Sequence, residues 1–284
     1  MPAEATRLPD GRLHLHHGPI DIIAQSWGDA EAVRVGEAHA IARFDTILAE
    51  LASELPILRA QGGQPCGALA QTMARATGPY YPRFITPMAA VAGAVADEIL
   101  RHLCPPGVTR AYVNNGGDIA VHLTPGESLT CAIAARPGAP DRIILRAQDS
   151  VRGIATSGWR GRSHSLGIAD GVTVLARTAA MADAAATMIA NAVDLPGHAA
   201  ITRRAACDLQ ADSDLGARLV TTAVGPLSSQ DIARALNRGE VAARPYLTRG
   251  LIDSVALFLH AEIRTLGPRA LTLHAPTRKE PALA

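Results

Sequence analysis

The 284-residue sequence contains very little lysine and few aromatic residues. Lys279 is the only lysine among 27 basic residues, and aromatic side chains make up 3% of the chain. So few aromatics argue against a stacking platform for single-stranded nucleic acid. The net charge of +1 gives no electrostatic preference for nucleic acid or for an anionic membrane. Arginine suits phosphate recognition, but a coding bias toward Ala, Arg and Gly explains its excess more simply.

Long apolar runs, a signal segment and paired cysteines are also missing. No apolar run reaches the roughly 20 residues that a membrane helix needs. The polar residues 1–9 show neither a hydrophobic signal region nor a lipoprotein cysteine. The four cysteines form no Cys-x-x-Cys pair, and we expect His14, His16 and His17 at an exposed strand edge rather than around a metal. The sequence therefore predicts a cytoplasmic protein with reduced thiols that contacts neither nucleic acid nor a membrane.

Strand and helix patterns occur in alternate groups, which predicts an α+β fold of antiparallel sheets packed with helices. The hydrophobic content of 48% is enough for a sizeable core. We expect one domain over 1–284, or two intertwined helix-plus-sheet halves at about 12–123 and 129–263. The predicted strands are a pair within 12–25, then 110–113, 119–123, 129–135, 142–147, 172–176 and 251–263. The predicted helices are 29–54 with Asp29 as N-cap, 68–76, 86–103 with Thr86 as N-cap, one from 181 to about 193, and 229–238.

A glycine-rich turn lies between two predicted strands. It contains Asn115, Gly116, Gly117 and Asp118, and its Asn-Gly pair favours a hairpin because both residues tolerate positive φ. Its glycines would let a ligand approach the backbone, whose N–H groups can bind phosphate or a carbonyl group. An ordinary hairpin turn explains the same residues.

Thr156, Ser157 and Gly158 form a second candidate loop, in which two hydroxyl groups could bind phosphate. The segment is not Gly-x-Ser-x-Gly, so it does not indicate a nucleophile elbow. His164 follows in a serine-rich loop and could act as an acid or a base. A structural turn and a surface histidine are the simpler alternatives.

Asp183 and Thr187 are four residues apart on a predicted helix, so they share one helical face. A carboxylate and a hydroxyl are hard oxygen donors that could hold Mg²⁺, with water or phosphate completing its coordination. Two donors alone do not specify a metal, and a solvated Asp beside a core-facing Thr is an equally simple alternative. Asp97 could be an acid near the same site, although a surface position is the simpler expectation.

In their order and spacing, these motifs resemble the ApbE superfamily, whose best-known members are FAD:protein FMN transferases. The ordered set is the helix at 86–103, Asn-Asn-Gly-Gly-Asp at 114–118, Ala-Thr-Ser-Gly at 155–158 and Ala-Asp-x-x-x-Thr at 182–187. The Ser-x-Ser-Leu-Gly-x-Ala-Asp segment at 163–170 is more similar to a soluble, ApbE-related branch of bacteria and archaea. The resemblance covers residues 84–193 well and the rest of the chain loosely.

The resemblance implies an ApbE-like fold related to the T-fold of pterin enzymes, with FAD and a divalent cation bound in a cleft. Carried over by motif, the Gly-Gly-Asp turn corresponds to 116–118, the Thr-Ser-Gly loop to 156–158, and the metal-binding pair to Asp183 and Thr187. In the transferase, Mg²⁺ polarises the FAD diphosphate so that FMN passes to a protein threonine.

Two departures from the transferase pattern bear on the reaction. The family's Gly-x-Ala-Lys-Gly segment has no lysine here, since residues 89–93 read Ala-Ala-Val-Ala-Gly. Its His-x-x-Asp-Pro-x-Thr-Gly loop is reduced to His164. The sequence therefore leaves three functions open: FMN transfer or FAD hydrolysis with Mg²⁺, non-catalytic flavin or pterin binding, and an enzyme of pterin-cofactor biosynthesis. We expect a small nucleotide-like ligand as partner and a homodimer as one possible assembly.

Overall fold

A nine-stranded antiparallel sheet forms the centre of the computed structural model, which describes residues 2–133, 141–161 and 163–268. Its strand order is β1-β2-β3-β4-β5-β8-β9-β12-β13, and two further two-stranded sheets pair β6 with β7 and β10 with β11. The predicted α+β class is confirmed. The strands are β1 (Glu4–Arg7), β2 (Leu13–His17), β3 (Ile20–Gly28), β4 (Val108–Asn115), β5 (Asp118–Leu123), β6 (Ser128–Ile133), β7 (Asp141–Arg146), β8 (Gly153–Ser157), β9 (Gly171–Ala176), β10 (Ile201–Ala205), β11 (Leu219–Val224), β12 (Ser254–Leu259) and β13 (Glu262–Leu266).

The helices pack mainly against one face of this sheet, which we call the helix face. The buried alanines of α4 and α5 share the main apolar core with alternate residues of the sheet. Side chains of β6 and β7 form a second core with the opposite face, called the outer face below. The helices are α1 (Ala30–Ser53), α2 (Leu55–Leu58), α3 (Ala68–Thr77), α4 (Val91–Leu103), α5 (Ala179–Ala192), α6 (Ala206–Leu209) and α7 (Ser229–Thr248).

Several local predictions are confirmed. The Asp29 carboxylate accepts from the backbone N–H groups of Glu31 and Ala32, so it caps α1 as expected. The β2–β3 hairpin turns at Gly18, and the β4–β5 hairpin turns at two glycines. The sequence also predicts an apolar stripe on α1 at Ala32, Val35, Ala38, Ile41, Leu48 and Leu51, and this is confirmed in part. Leu51 is buried and Ala32, Ile41 and Leu48 are partly buried against the main core, whereas Ala38 is exposed. The other buried residues of the helix are Gly36, Ala40, Phe44 and Ile47.

Other predictions are corrected by long-range contacts. Thr86 does not cap the helix after it; its hydroxyl bonds to Asp214, and a 3₁₀ turn precedes α4. Helix α7 continues ten residues beyond the predicted end, from 238 to 248. The expected final strand is instead the β12–β13 hairpin, which turns at His260. Strands β1, β10 and β11 were not predicted, and residues 134–135 of a predicted strand lie outside the described residues.

Strands from both proposed halves of the chain lie in one sheet. Strand β5 pairs with β8 through Ile119↔Ile154 and Ala120↔Gly153, which joins residues before 123 to residues after 129. This register also places the β4–β5 hairpin beside the C-terminal end of β8, at one end of the sheet. Among the described helices, none is long and apolar enough to cross a membrane.

Candidate functional site

The site is built where α4 and α5 touch almost backbone to backbone. Gly93 lies in the first turn of α4, and a Cβ there would stand 2.3 Å from the carbonyl oxygen of Ala179. Gly153 of β8 is equally crowded, since its Cβ would meet the carbonyl carbon of Thr178 at 2.1 Å. Only glycine fits at these two positions. The start of α5 is therefore held against both α4 and the sheet.

Two aspartates at this contact each bind the backbone of the other helix. The Asp97 carboxylate of α4 accepts from the N–H groups of Ala179 (3.0 Å) and Ala180 (2.9 Å), at the start of α5. The Asp183 carboxylate of α5 accepts from the N–H of Gly93 at 3.0 Å. Carboxylates are stabilising at helix N-termini because the N–H groups there have no partner within the helix. Asp97 is thus half-buried between helices, and the simpler expectation of a surface position is wrong.

Burial raises the pKa of both carboxyl groups. Desolvation is the main cause and raises the pKa of Asp97 to about 6, although the N–H groups of Ala180 and Ala179 oppose it. Burial likewise raises the pKa of Asp183 to about 7, against the N–H groups of Gly93 and Ala92 and with added repulsion from Asp97. Both groups therefore hold a proton more tightly than an exposed aspartate does.

The β4–β5 hairpin brings its predicted site residues to the same helix. The amide nitrogen of Asn115 donates to the carbonyl oxygen of Ala92 at 3.1 Å, next to the residue that binds Asp183. Gly116 and Gly117 form the two-residue turn with φ of 65° and 114°, which favours glycine. Asp118 pairs with Asn115 across the hairpin and is half-buried. Alternation along β5 sets it on the helix face with the buried Ala120.

The second predicted loop is in fact the end of strand β8, and its two hydroxyl residues point to opposite faces. Ser157 shares the helix face with Ala155, two residues before it. Thr156 projects from the outer face, where its hydroxyl lies 2.8 Å from that of Thr173. Gly158 is buried, and a Cβ on it would stand 2.5 Å from the carbonyl oxygen of Asp170. The predicted loop is therefore the end of a strand, and of its two hydroxyl residues only Ser157 presents its side chain to the helices. Phosphate binding by these three residues stays a prediction.

The positions of Asp183 and Thr187 along the sheet follow from the geometry of helix and strand. Helix α5 starts against Gly153 and rises about 1.5 Å per residue, which sets Thr187 about 12 Å beyond Ala179. Ser157 lies about 13 Å beyond Gly153, at about 3.3 Å per strand residue. Since α5 packs along β8 and β9, Thr187 is level with Ser157. Asp183 lies about halfway along α5 between Ala179 and Thr187. The structure thus brings Asn115, Asp118, Ser157, Asp183 and Thr187 to the helix face at one end of the sheet.

Helix α5 carries one polar stripe on an otherwise buried surface. Asp183, Thr187 and Asn191 are spaced by four residues and all three are half-buried. Nine of the helix's 14 residues are fully buried, and most of them are alanine. We call these three residues the α5 polar stripe. The motif Ala-Asp-x-x-x-Thr ends at Thr187 and so does not include Asn191, although the spacing of four residues continues to it.

His164 lies in the loop that packs on the far end of α5. Its neighbour Ser165 is buried and bonds to Asn191, while His164 itself is exposed. Asn191 is about 12 Å along the helix from Asp183. The structure therefore connects His164 to the end of the polar stripe and separates it from the two aspartates.

The polar residues suit Mg²⁺ only if the ligand supplies most of its coordination. Asp183 and Thr187 provide hard oxygen donors, which Mg²⁺ prefers, and Mg²⁺ is commonly bound by one or two carboxylates plus substrate phosphates. Within residues 2–133, 141–161 and 163–268, no group of three or more His, Cys, Asp or Glu could hold a metal. The residues therefore fit a cation that binds together with a diphosphate, and not a cation held by protein ligands alone.

Two open cavities lie elsewhere on the surface. One, of about 410 Å³, is lined by residues between Gly62 and Tyr81. The other, of about 520 Å³, is lined by the segment after α5 and the first turns of α7, including His198 and Arg234. Neither cavity is lined by a residue predicted for the site, so the site is defined by its side chains and backbone contacts.

Comparison with protein families identifies the class to which this arrangement belongs. The family described as AbpE bacteria matches residues 5–265, nearly the whole chain. The chain belongs to this family, which confirms the ApbE-related resemblance of the motifs.

Individual relatives match over shorter lengths. A UPF0280 protein of Methanothermobacter thermautotrophicus is 40% identical over 124 residues, which are 39% of this chain and 44% of that protein. A UPF0280 protein of Methanopyrus kandleri is 34% identical over 156 residues, 55% of this chain and 61% of that protein. The chain thus spans about half the length of the relatives it matches. Among solved structures, the apo form of the flavinyl transferase ApbE of Pseudomonas stutzeri aligns with 94% of this chain and 95% of its own, at 12% identity and a TM-score of 0.40.

Proposed function

We propose that this protein binds a flavin nucleotide, or a related diphosphate, together with Mg²⁺ on the helix face of its sheet. The observation that carries the proposal is the α5 polar stripe. Asp183 and Thr187 are half-buried on a helix whose buried residues are mostly alanine. Thr187 lies level with the end of β8, and Asp183 binds Gly93, next to the Ala92 carbonyl that Asn115 contacts. Family membership supports a flavin-related ligand, because the transferases that the motifs resemble act on FAD.

Each part of the site has a role in this proposal. Asp183 and Thr187 would hold Mg²⁺, which neutralises the diphosphate and needs oxygen ligands from it. The Gly116–Gly117 turn lets a ligand come close to the backbone, and Ser157 adds a hydroxyl on the same face. Asn115 joins the turn to α4 through Ala92, so the turn and the aspartate pair are held in a fixed relation.

One observation favours binding without FMN transfer as a second candidate. The lysine of the transferase motif is missing from 89–93, and the only lysine of the chain is Lys279. His164 is exposed and is attached to the far end of α5 rather than to Asp183. The groups that bind a metal diphosphate are therefore better represented than the groups that would move protons during transfer.

Titration calorimetry with FAD, in the presence and absence of Mg²⁺, tests the proposal. We expect wild-type protein to bind FAD more tightly with Mg²⁺, and Asp183→Asn to weaken Mg²⁺-dependent binding by tenfold or more, since it removes the charge that attracts the cation. Asp45→Asn is the matched control, because Asp45 is an exposed aspartate on α1. Equal affinities for wild type and Asp183→Asn would refute the metal role.

Mass spectrometry of the same mixtures separates the two candidate functions. FMN and AMP above the level of a boiled control would indicate hydrolysis, and a protein mass increased by FMN would indicate transfer. Unchanged FAD that stays bound in stoichiometric amount would support binding without chemistry.

A further inference from the structure

Asn191, at the end of the α5 polar stripe, has an amide orientation that its neighbours determine. Its Oδ1 accepts from the backbone N–H of Leu166 at 2.9 Å and lies 3.1 Å from the hydroxyl of Ser165. A backbone N–H can only donate, so the atom that faces Leu166 must be the carbonyl oxygen. The Nδ2 group therefore points away from this loop, and no acceptor among the residues that the structure describes takes its two N–H donors.

The loop that Asn191 contacts is also held by other groups. The N–H of Thr221 donates to the carbonyl of Ser165 at 2.9 Å, and the N–H of Ile168 donates to the carbonyl of Val193 at 2.8 Å. Arg203 bonds to the carbonyl of Leu166 and to Asp194. A residue that served only to anchor this loop would need an acceptor oxygen for Leu166 and Ser165, and no N–H donor. Asn191 has both the acceptor oxygen and an N–H₂ donor, and it lies on the polar stripe of α5, which is not fully buried.

We infer that Asn191 is a ligand-binding residue, whose Nδ2 donates to a neutral acceptor oxygen on the organic part of the ligand. This inference rests on the proposed function. Asn191 is about 6 Å along the helix from Thr187, so it is displaced along α5 from a cation held by Asp183 and Thr187. An N–H₂ group without charge suits a hydroxyl or carbonyl oxygen, such as those of a sugar or a heterocycle.

Asn191→Asp is the discriminating variant. An aspartate keeps the acceptor oxygen for Leu166 and Ser165, so the loop anchor stays intact, but it has no donor for the ligand. We expect its affinity for FAD with Mg²⁺ to fall by tenfold or more. Its affinity for pyrophosphate with Mg²⁺ should stay within twofold of wild type, because that ligand has no organic part. Equal melting temperatures of the two proteins would show that the fold is retained.

The remaining outcomes count against the inference in distinguishable ways. Unchanged FAD affinity in Asn191→Asp would show that the residue is only an anchor. Equal weakening of FAD and pyrophosphate would show a general charge effect, which also overturns the inference. If wild-type protein binds FAD and Asp183→Asn abolishes this while Asn191→Asp does not, the proposed function survives and this inference fails. If wild-type protein binds no FAD, both fail together.

Discussion

Helices α1 and α5 were both predicted from the sequence, but they differ in what surrounds them. Helix α1 has 24 residues, of which five are buried on one side, and most of its polar residues are exposed. Helix α5 has 14 residues, of which nine are buried, so it is enclosed by α4, the sheet and α7. A polar residue on α1 is what any surface helix shows. Three polar residues in line on α5 are unusual, and this contrast is why we assign the site to α5.

The largest expected effect is the response of the two helices to a bulkier side chain. Ala185 is fully buried on α5, whereas Ala38 is exposed on α1. We expect Ala185→Leu to lower the free energy of unfolding by about 3 kcal/mol, because three added carbons have no space. Ala38→Leu should change it by less than about 0.5 kcal/mol. Urea denaturation of both variants measures the difference, and similar losses would contradict the contrast between the helices.

A smaller effect is expected in the pH dependence that Asp97 contributes. Burial raises its pKa from the ordinary 3.8 to about 6, so the folded state binds its proton more tightly than the unfolded state does. Its contribution to the free energy of unfolding is thus fully present below pH 4 and is lost as the pH rises through about 6. A shift of about 2 units in this pKa changes the free energy of unfolding by less than about 3 kcal/mol.

Asp97→Asn removes this titration. We expect its free energy of unfolding to fall less steeply between pH 4 and 6.5 than that of wild type, as measured by urea denaturation at several pH values. Asp45→Asn on α1 serves as the control and should follow the wild-type profile. Parallel profiles for Asp97→Asn and wild type would show that burial does not perturb this carboxyl group.

The smallest effect is expected for an acid on α1 whose pKa shifts in the opposite direction. Hydrogen bonds from Arg43 lower the pKa of Glu50, so its contribution is present above about pH 4.5 and is lost as the pH falls. Because the carboxylate is about half exposed, Glu50→Gln should change the free energy of unfolding by less than about 0.5 kcal/mol at pH 7. Urea denaturation of Glu50→Gln and wild type at low and high salt measures this change in the free energy of unfolding. An effect as large as that of Asp97→Asn would contradict the comparison.

Features that depend on neighbouring residues could be predicted from the sequence. The Asp29 cap and the Asn114–Asp118 hairpin each follow from residues a few positions apart, and both are confirmed. The spacing of Asp183 and Thr187 likewise predicted a shared helical face, and they do lie on one. The apolar stripe predicted on α1 does not include Gly36 and Ala40, because small residues give a weak apolar signal, yet both are buried in close packing.

The sequence by itself determined most of the strands and helix positions, the glycine turns and the polar spacing on α5, because short-range hydrogen bonding and side-chain period govern these. Only the tertiary structure decided that Asp97 and Asp183 each bind the other helix, that Thr156 faces away from Ser157, and that Asn191 binds the loop at Ser165 and Leu166. Those relations join residues up to about ninety positions apart, as between Gly93 and Asp183. These contacts form because Gly93 and Gly153 let α5 approach α4 and the sheet to within backbone contact. A local sequence pattern does not show how closely two distant segments approach each other.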